Sequence, residues 1–162
     1  MTRTQHDSGA WPRGEYPLLY LDMILSPKNG RELLGLSLLV AFSVGVLHQW
    51  ALGSYLYWVY DWFDILMHFL AGLCVSLFSL WLFYFSPLAR EAPKNKKAVL
   101  FVSLGAVLIL GLFWEVFELF IWHTYDEPNF VADTLGDIVL DILGGFVAYR
   151  YFVFHFIEIN GE

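Results

Sequence analysis

Acidic and imidazole side chains recur inside or at the rim of long apolar runs. Asp61, Asp64 and His68 stand in YDWFDILMHF, Glu115 and Glu118 in FWEVFELFIWH, and Asp133, Asp137 and Asp141 in VADTLGDIVLDILGG. His48 lies in GVLHQW. Spacings of three and four residues put side chains on one face of a helix. Each group therefore forms a stripe, and the stripes should turn inward, because a charge facing lipid is expensive. Three facing acidic stripes repel one another, so bound cations, shared protons or a water-filled cavity must hold them together.

A divalent metal ion is the preferred partner. Carboxylates with one or two imidazoles suit Zn, Mn or Fe, and carboxylates with water alone suit Mg, Ca or Mn. The expected oxygen ligands are Asp64, Glu115, Glu118, Asp137 and Asp141. His68 is the first nitrogen ligand, with His48 or His123 as candidate second ones. A carboxylate outside the coordination sphere, Asp133 or Glu118, could relay a proton in catalysis. The di-iron pattern of ferritin-like bundles is absent, because no Glu-x-x-His pair occurs on two helices. There is no His-Glu-x-x-His, phosphate loop or nucleophile elbow.

Each residue also has a plainer reading. Asp61 and Asp133 could simply cap helices, with Thr134 sharing the second cap. His48 and His123 read as interfacial or hydrogen-bonded structural residues. His155 and Arg150 can snorkel to the interface. Depth makes the plain reading weakest for His68, Glu115 and Asp141.

The elements that position these residues are membrane helices. Of 162 residues, 58% are hydrophobic and 15% charged, against about 25% charged in a soluble domain. About 20 apolar residues span the hydrocarbon core. Four stretches qualify: 33–56, 62–85, 98–122 and 134–157. His68, Glu115 and Asp141 each lie roughly 10 Å below the same end of their spans, at 1.5 Å per residue. The expected fold is an all-α, integral membrane four-helix bundle. Its domain spans 33–157, after a cytoplasmic or interfacial segment, 1–32, and before a tail, 158–162. The stretch PLLYLDMIL, 17–25, is too short to span and suits an interfacial helix.

The basic residues orient the bundle. Arg3, Arg13, Lys28 and Arg31 precede the first span, Arg90, Lys94, Lys96 and Lys97 separate the second from the third, and Arg150 ends the fourth. Both termini and the middle loop should face the cytoplasm, with the acids in the outer half. Net charge −7 argues against a nucleic-acid partner. Cys74 is the single cysteine, so no intrachain disulfide forms. No cleavable signal peptide is visible. Gly72, Gly105, Gly111, Gly136, Gly144 and Gly145 would let helix backbones approach. Trp11, Trp50, Trp58, Trp62, Trp114 and Trp122 read mostly as an aromatic belt.

Tyr60-Asp61, His68-Phe69 with Gly72, Trp114-Glu115 with Glu118, and Asp133-Thr134 with Asp137, Asp141 and Gly144-Gly145 together resemble the YjdF-like group of bacterial inner-membrane proteins. The resemblance covers roughly residues 61–149. A more distant likeness to VanZ-like proteins rests on an Asp…His element and a later acidic helix. The resemblance implies a bacterial inner-membrane location and supplies little mechanism.

Three functions fit these residues. A metal-dependent membrane hydrolase would polarise an ester or phosphoryl group of a lipid-linked substrate and activate water. A cation or proton transporter, built as a homo-oligomer, would use the acids as a path. A metal-stabilised structural or regulatory subunit would need the ion for folding alone. Membrane lipids are partners in all three.

Overall fold

The computed structural model describes residues 27–86, 95–121 and 129–158. They form four long helices and one short one: α1 (Pro27–Gly53), α2 (Leu56–Val59), α3 (Asp61–Phe85), α4 (Lys96–Ile121) and α5 (Phe130–Phe152). A π-helical turn, Val153–Glu158, extends α5. The expected interfacial helix at 17–25 lies outside the described residues. Residues 27–32, expected to precede the first span, are already helical.

The helix ends have local causes. Asn95 Oδ1 accepts the backbone N–H of Ala98 at 2.9 Å, so an asparagine caps α4. Ser86 is extended (φ −78°, ψ 161°), as the residue before a proline prefers, and α3 stops there. Gly53 closes α1, and Tyr55 turns the chain in the left-handed region (φ 57°) into α2. The plain capping role expected for Asp133 does not hold. Tyr60 precedes α3 and Asn129 precedes α5, neither with a side-chain cap bond. Asp133 already lies in the first turn of α5, where its N–H donates to the Asn129 carbonyl.

Among the described residues, α1, α3 and α4 are long and apolar enough to cross a membrane. Their outer faces carry Phe42 on α1, Phe83 on α3, and Phe101, Ile109 and Phe120 on α4, all exposed. Such faces suit lipid, and the protein is an all-α integral membrane protein. The fourth long helix, α5, carries Asp133, Asp137, Asp141 and Arg150, and these charges set its composition apart from the other three.

α3 is the hub. It packs chiefly on α5 and also on α1 and α4. α3 and α5 run in the same direction, with Gly72 beside Asp141 and Tyr84 beside Phe152. α4 lies antiparallel to both: Ser103 bonds Ser76, and Gly111 faces Asp141. One end of the bundle is filled by Leu33, Leu77, Leu80, Tyr84, Val99 and Phe152. A smaller cluster of Ala51, Phe63 and Met67 joins α1 to α3 at the other end. The acidic residues gather at that second end.

Glycine packing is partly as expected. A Cβ at Gly144 would collide with the Phe69 carbonyl oxygen, and one at Gly145 would lie 2.8 Å from Val107 Cγ2. Gly105 and Gly136 have nothing within 4 Å, so neither serves a close helix approach. Between the two apolar clusters sits a polar clamp. Ser103 Oγ donates to the Gly145 carbonyl at 2.9 Å, and Ser76 Oγ lies 2.6 Å from Ser103 Oγ. This joins α3, α4 and α5 through one carbonyl.

Candidate metal centre

His68 is one turn above Gly72 on α3, and the tight α3–α5 crossing brings it against the acidic face of α5. Its Nε2 stands 3.8 Å from Asp64 Oδ1 and 3.9 Å from Asp137 Oδ2. Its Nδ1 stands 3.6 Å from Asp141 Oδ1. Hydrogen bonds between such groups are about 2.7–2.9 Å long. Two ligands held about 2.0 Å from a tetrahedral ion stand about 3.3 Å apart. All three separations are longer than direct hydrogen bonds, and those at Nε2 leave room for an ion between the imidazole and the two carboxylates. One donor atom each from Asp64, His68 and Asp137 lie within 4.8 Å of one another. This cluster is a candidate divalent-metal site.

Burial sharpens the case. His68, Glu115, Asp137 and Asp141 are exposed by only 6%, 8%, 5% and 5%. Glu115 Oε1, on α4, is buried without a hydrogen-bond partner among the described residues. An isolated buried carboxylate costs several kcal/mol, so something must compensate it. No described lysine or arginine does so: Lys28, Arg31, Lys96, Lys97 and Arg150 all belong to the opposite end of the helices. A cation between the helices would offset the charge.

The remaining expected residues fall around this centre. Asp64 is half-buried at its edge. Glu118 is half-buried as well and accepts a hydrogen bond from Trp114 Nε1 at 2.9 Å. Asp133 is exposed, one turn before Asp137, so its stripe turns inward only from Asp137 onward. His48 takes its plainer role, with Nδ1 2.8 Å from the Tyr57 hydroxyl. His123, Trp11 and Trp122 lie outside the described residues.

The family model described as "Predicted membrane protein (DUF2238)" matches residues 6–157, nearly the whole chain. The chain belongs to this DUF2238 family. No curated protein and no solved structure matches the chain at a significant level. The family description agrees with the apolar helices and leaves the chemistry to the geometry of the site.

Some parts of this DUF2238 site escape sequence reading. Gly111 faces the Asp141 carboxylate, where a Cβ would lie 2.7 Å from Oδ2. A glycine in a transmembrane helix signals close packing in general, without naming the side chain that fills the space. Tyr57 sits on α2, in what reads as a loop. Its hydroxyl is pushed up to about 12 by burial and by the negative charges of Asp64 and Glu118. That places an uncharged phenol beside the acidic cluster, a role hidden by the many aromatic residues around it.

Proposed function

We propose that this protein holds a divalent metal ion between α3 and α5 and uses it to hydrolyse a lipid-linked or membrane-associated substrate. His68 Nε2, Asp64 and Asp137 supply three ligands, and Glu115 from α4 supplies a fourth. The observation that carries this reading is the convergence of three ligand atoms in one buried cluster, with Glu115 on the facing helix keeping one buried carboxyl oxygen, Oε1, without a hydrogen-bond partner among the described residues. With four protein ligands, an ion expanded to five positions would keep one for water and would lower its pKa towards neutrality. Glu118, held by Trp114 at the edge of the site, carries the proton away, with Asp133 further out towards the surface.

In this reading α5 is the fourth span. Its 23 residues give a helix of about 35 Å, enough for a hydrocarbon core of about 30 Å. Both termini face the cytoplasm by the distribution of basic residues. The site then opens towards the outer headgroups of a bacterial inner membrane, a location that the likeness to the YjdF-like group also supports. Passage of a cation through a single chain is disfavoured, because the apolar cluster around Leu77, Leu80, Tyr84 and Phe152 fills the opposite half.

The test is element-resolved metal content of the full chain purified in mild detergent, beside an Asp64→Ala/His68→Ala/Asp137→Ala variant. A stoichiometric transition metal, lost in the variant, supports the site and directs hydrolysis assays to that element. Absence of any divalent metal from the parent protein, even after incubation with zinc or manganese, rules the reading out. Flux measurements in liposomes would then take its place.

A further inference from the structure

The two nitrogens of His68 face different partners. Nε2 is turned towards Asp64 and Asp137, and Nδ1 towards Asp141. A metal-binding imidazole uses one nitrogen for the ion and commonly gives the other N–H to a carboxylate, which sets tautomer, orientation and basicity. We infer that Asp141 is a positioning residue, which receives the Nδ1–H of His68 and presents Nε2 to the metal, and that Gly111 exists to house its carboxylate.

Three observations carry this assignment. The 3.6 Å approach of Asp141 is the shortest between the ring and the three surrounding aspartates. Asp141 is buried and fixed from behind, because its backbone lies against Gly72 where two helices meet without intervening side chains. Its Oδ2 occupies the space that a side chain at Gly111 would fill. A ligand on the same ion as Asp64 and Asp137 would be expected on the Nε2 side of the ring, and Asp141 is on the other. A closure of under 1 Å brings Nδ1 and Oδ1 to hydrogen-bond distance.

The inference rests on the metal reading proposed above, and the experiment separates the two. The full chain, labelled with 15N-histidine, is studied in detergent with and without zinc, as the parent and as Asp141→Asn, Gly111→Ala and Gly105→Ala. In the metal-free parent, at a pH alkaline enough for the ring to be neutral, His68 should hold its proton on Nδ1. Asp141→Asn should shift that tautomer balance, Gly111→Ala should shift it less by displacing the carboxylate, and Gly105→Ala should leave it alone. X-ray absorption of the zinc-loaded parent and Asp141→Asn should report the same ligand count. Zinc affinity should fall about 10–100-fold in Asp141→Asn, as removal of such outer partners does elsewhere.

Loss of an oxygen ligand in Asp141→Asn would make Asp141 a ligand and overturn the assignment. So would an unchanged tautomer in both variants. If the parent binds no metal, the proposed function falls while the metal-free spectra still decide the Asp141–His68 pairing. Gly111→Ala keeps every functional group, so it reads the pairing even if Asp141→Asn fails to fold.

Discussion

Gly72 on α3 and Asp141 on α5 meet backbone to backbone. A Cβ at Gly72 would fall on the Asp141 carbonyl oxygen and lie 2.6 Å from its carbonyl carbon and 2.7 Å from its Cα. Gly144 makes the reciprocal contact with Phe69 and with the Leu73 nitrogen, at 2.7 Å from the latter. In lipid, where apolar burial gives helices little reason to associate, such approach is a main source of packing energy.

Gly72→Ala and Gly144→Ala should therefore each destabilise the bundle, by roughly 1–3 kcal/mol as overpacked cores do. Neither new methyl can be relieved by a side-chain rotation, since backbone atoms face it. Both variants should also weaken metal binding, because His68 and Asp141 ride on the two helices being separated. Gly136→Ala has open space and should be neutral or stabilising by up to about 1 kcal/mol. Thermal unfolding in detergent compares the variants. Equal effects at Gly72 and Gly136 would contradict the close contact.

The Ser76–Ser103–Gly145 clamp should behave as one unit. Removing a partner from a buried hydrogen bond leaves the other unsatisfied, at about 1–3 kcal/mol. Ser76→Ala and Ser103→Ala should each destabilise, and the double variant should cost less than the sum of the two. A double-mutant cycle on unfolding free energies reads the coupling directly. Strict additivity would mean that the pair contributes nothing as a pair.

Much of this arrangement is legible in the amino-acid sequence. The expected 62–85 span is α3 within one residue, because an apolar run bounded by Tyr60-Asp61 and Ser86-Pro87 leaves little freedom. Spacing alone places Asp64 with His68 and Asp137 with Asp141. Pairing across helices is not legible: nothing in the local pattern says that α3 and α5 run side by side, or that His68 divides its two nitrogens between opposite partners. The first span is misplaced towards its C-terminal side, since helix α1 starts at Pro27, in a first turn polar enough to read as a loop. Proline is favoured there, because its missing N–H would be unpaired anyway. Asp133 is taken for an inward residue because a spacing of four continues the stripe. A helix has 3.6 residues per turn, so a stripe that steps by four drifts round the surface.

Tyr57 offers a test by pH. Its phenol lies outside the spanning helices and is held up at about 12, against an ordinary 10.0, by burial first and then by Asp64 and Glu118. A raised folded-state value means that the folded protein keeps a proton which the unfolded chain loses. The corresponding stability is complete below about pH 10 and drains away as pH rises through 10 to about 12. Tyr57→Phe removes this titration, so the difference in melting temperature between parent and variant should shrink across that window. Tyr57→Phe also breaks the 2.8 Å contact with His48, which lowers stability at neutral pH by about 0.5–1.5 kcal/mol. A parallel fall of both proteins from pH 9 to 11.5 would remove Tyr57 as the source.

Glu115→Gln separates the roles of the ion and the buried acid. In chelator, the parent carries a buried carboxyl with an unpartnered oxygen, and an uncharged amide of the same shape removes the charge from that site. The variant should then match or exceed the parent in melting temperature. With zinc the order should reverse. Binding to the folded state stabilises it by about 2.7 kcal/mol at a hundredfold excess over Kd, and the variant, lacking one ligand, should gain less at the same zinc concentration. The quantity to compare is the zinc-induced rise in melting temperature for each protein. An identical rise would remove Glu115 from the coordination sphere and leave α4 connected to the site through Glu118 at its edge and the space that Gly111 gives to Asp141.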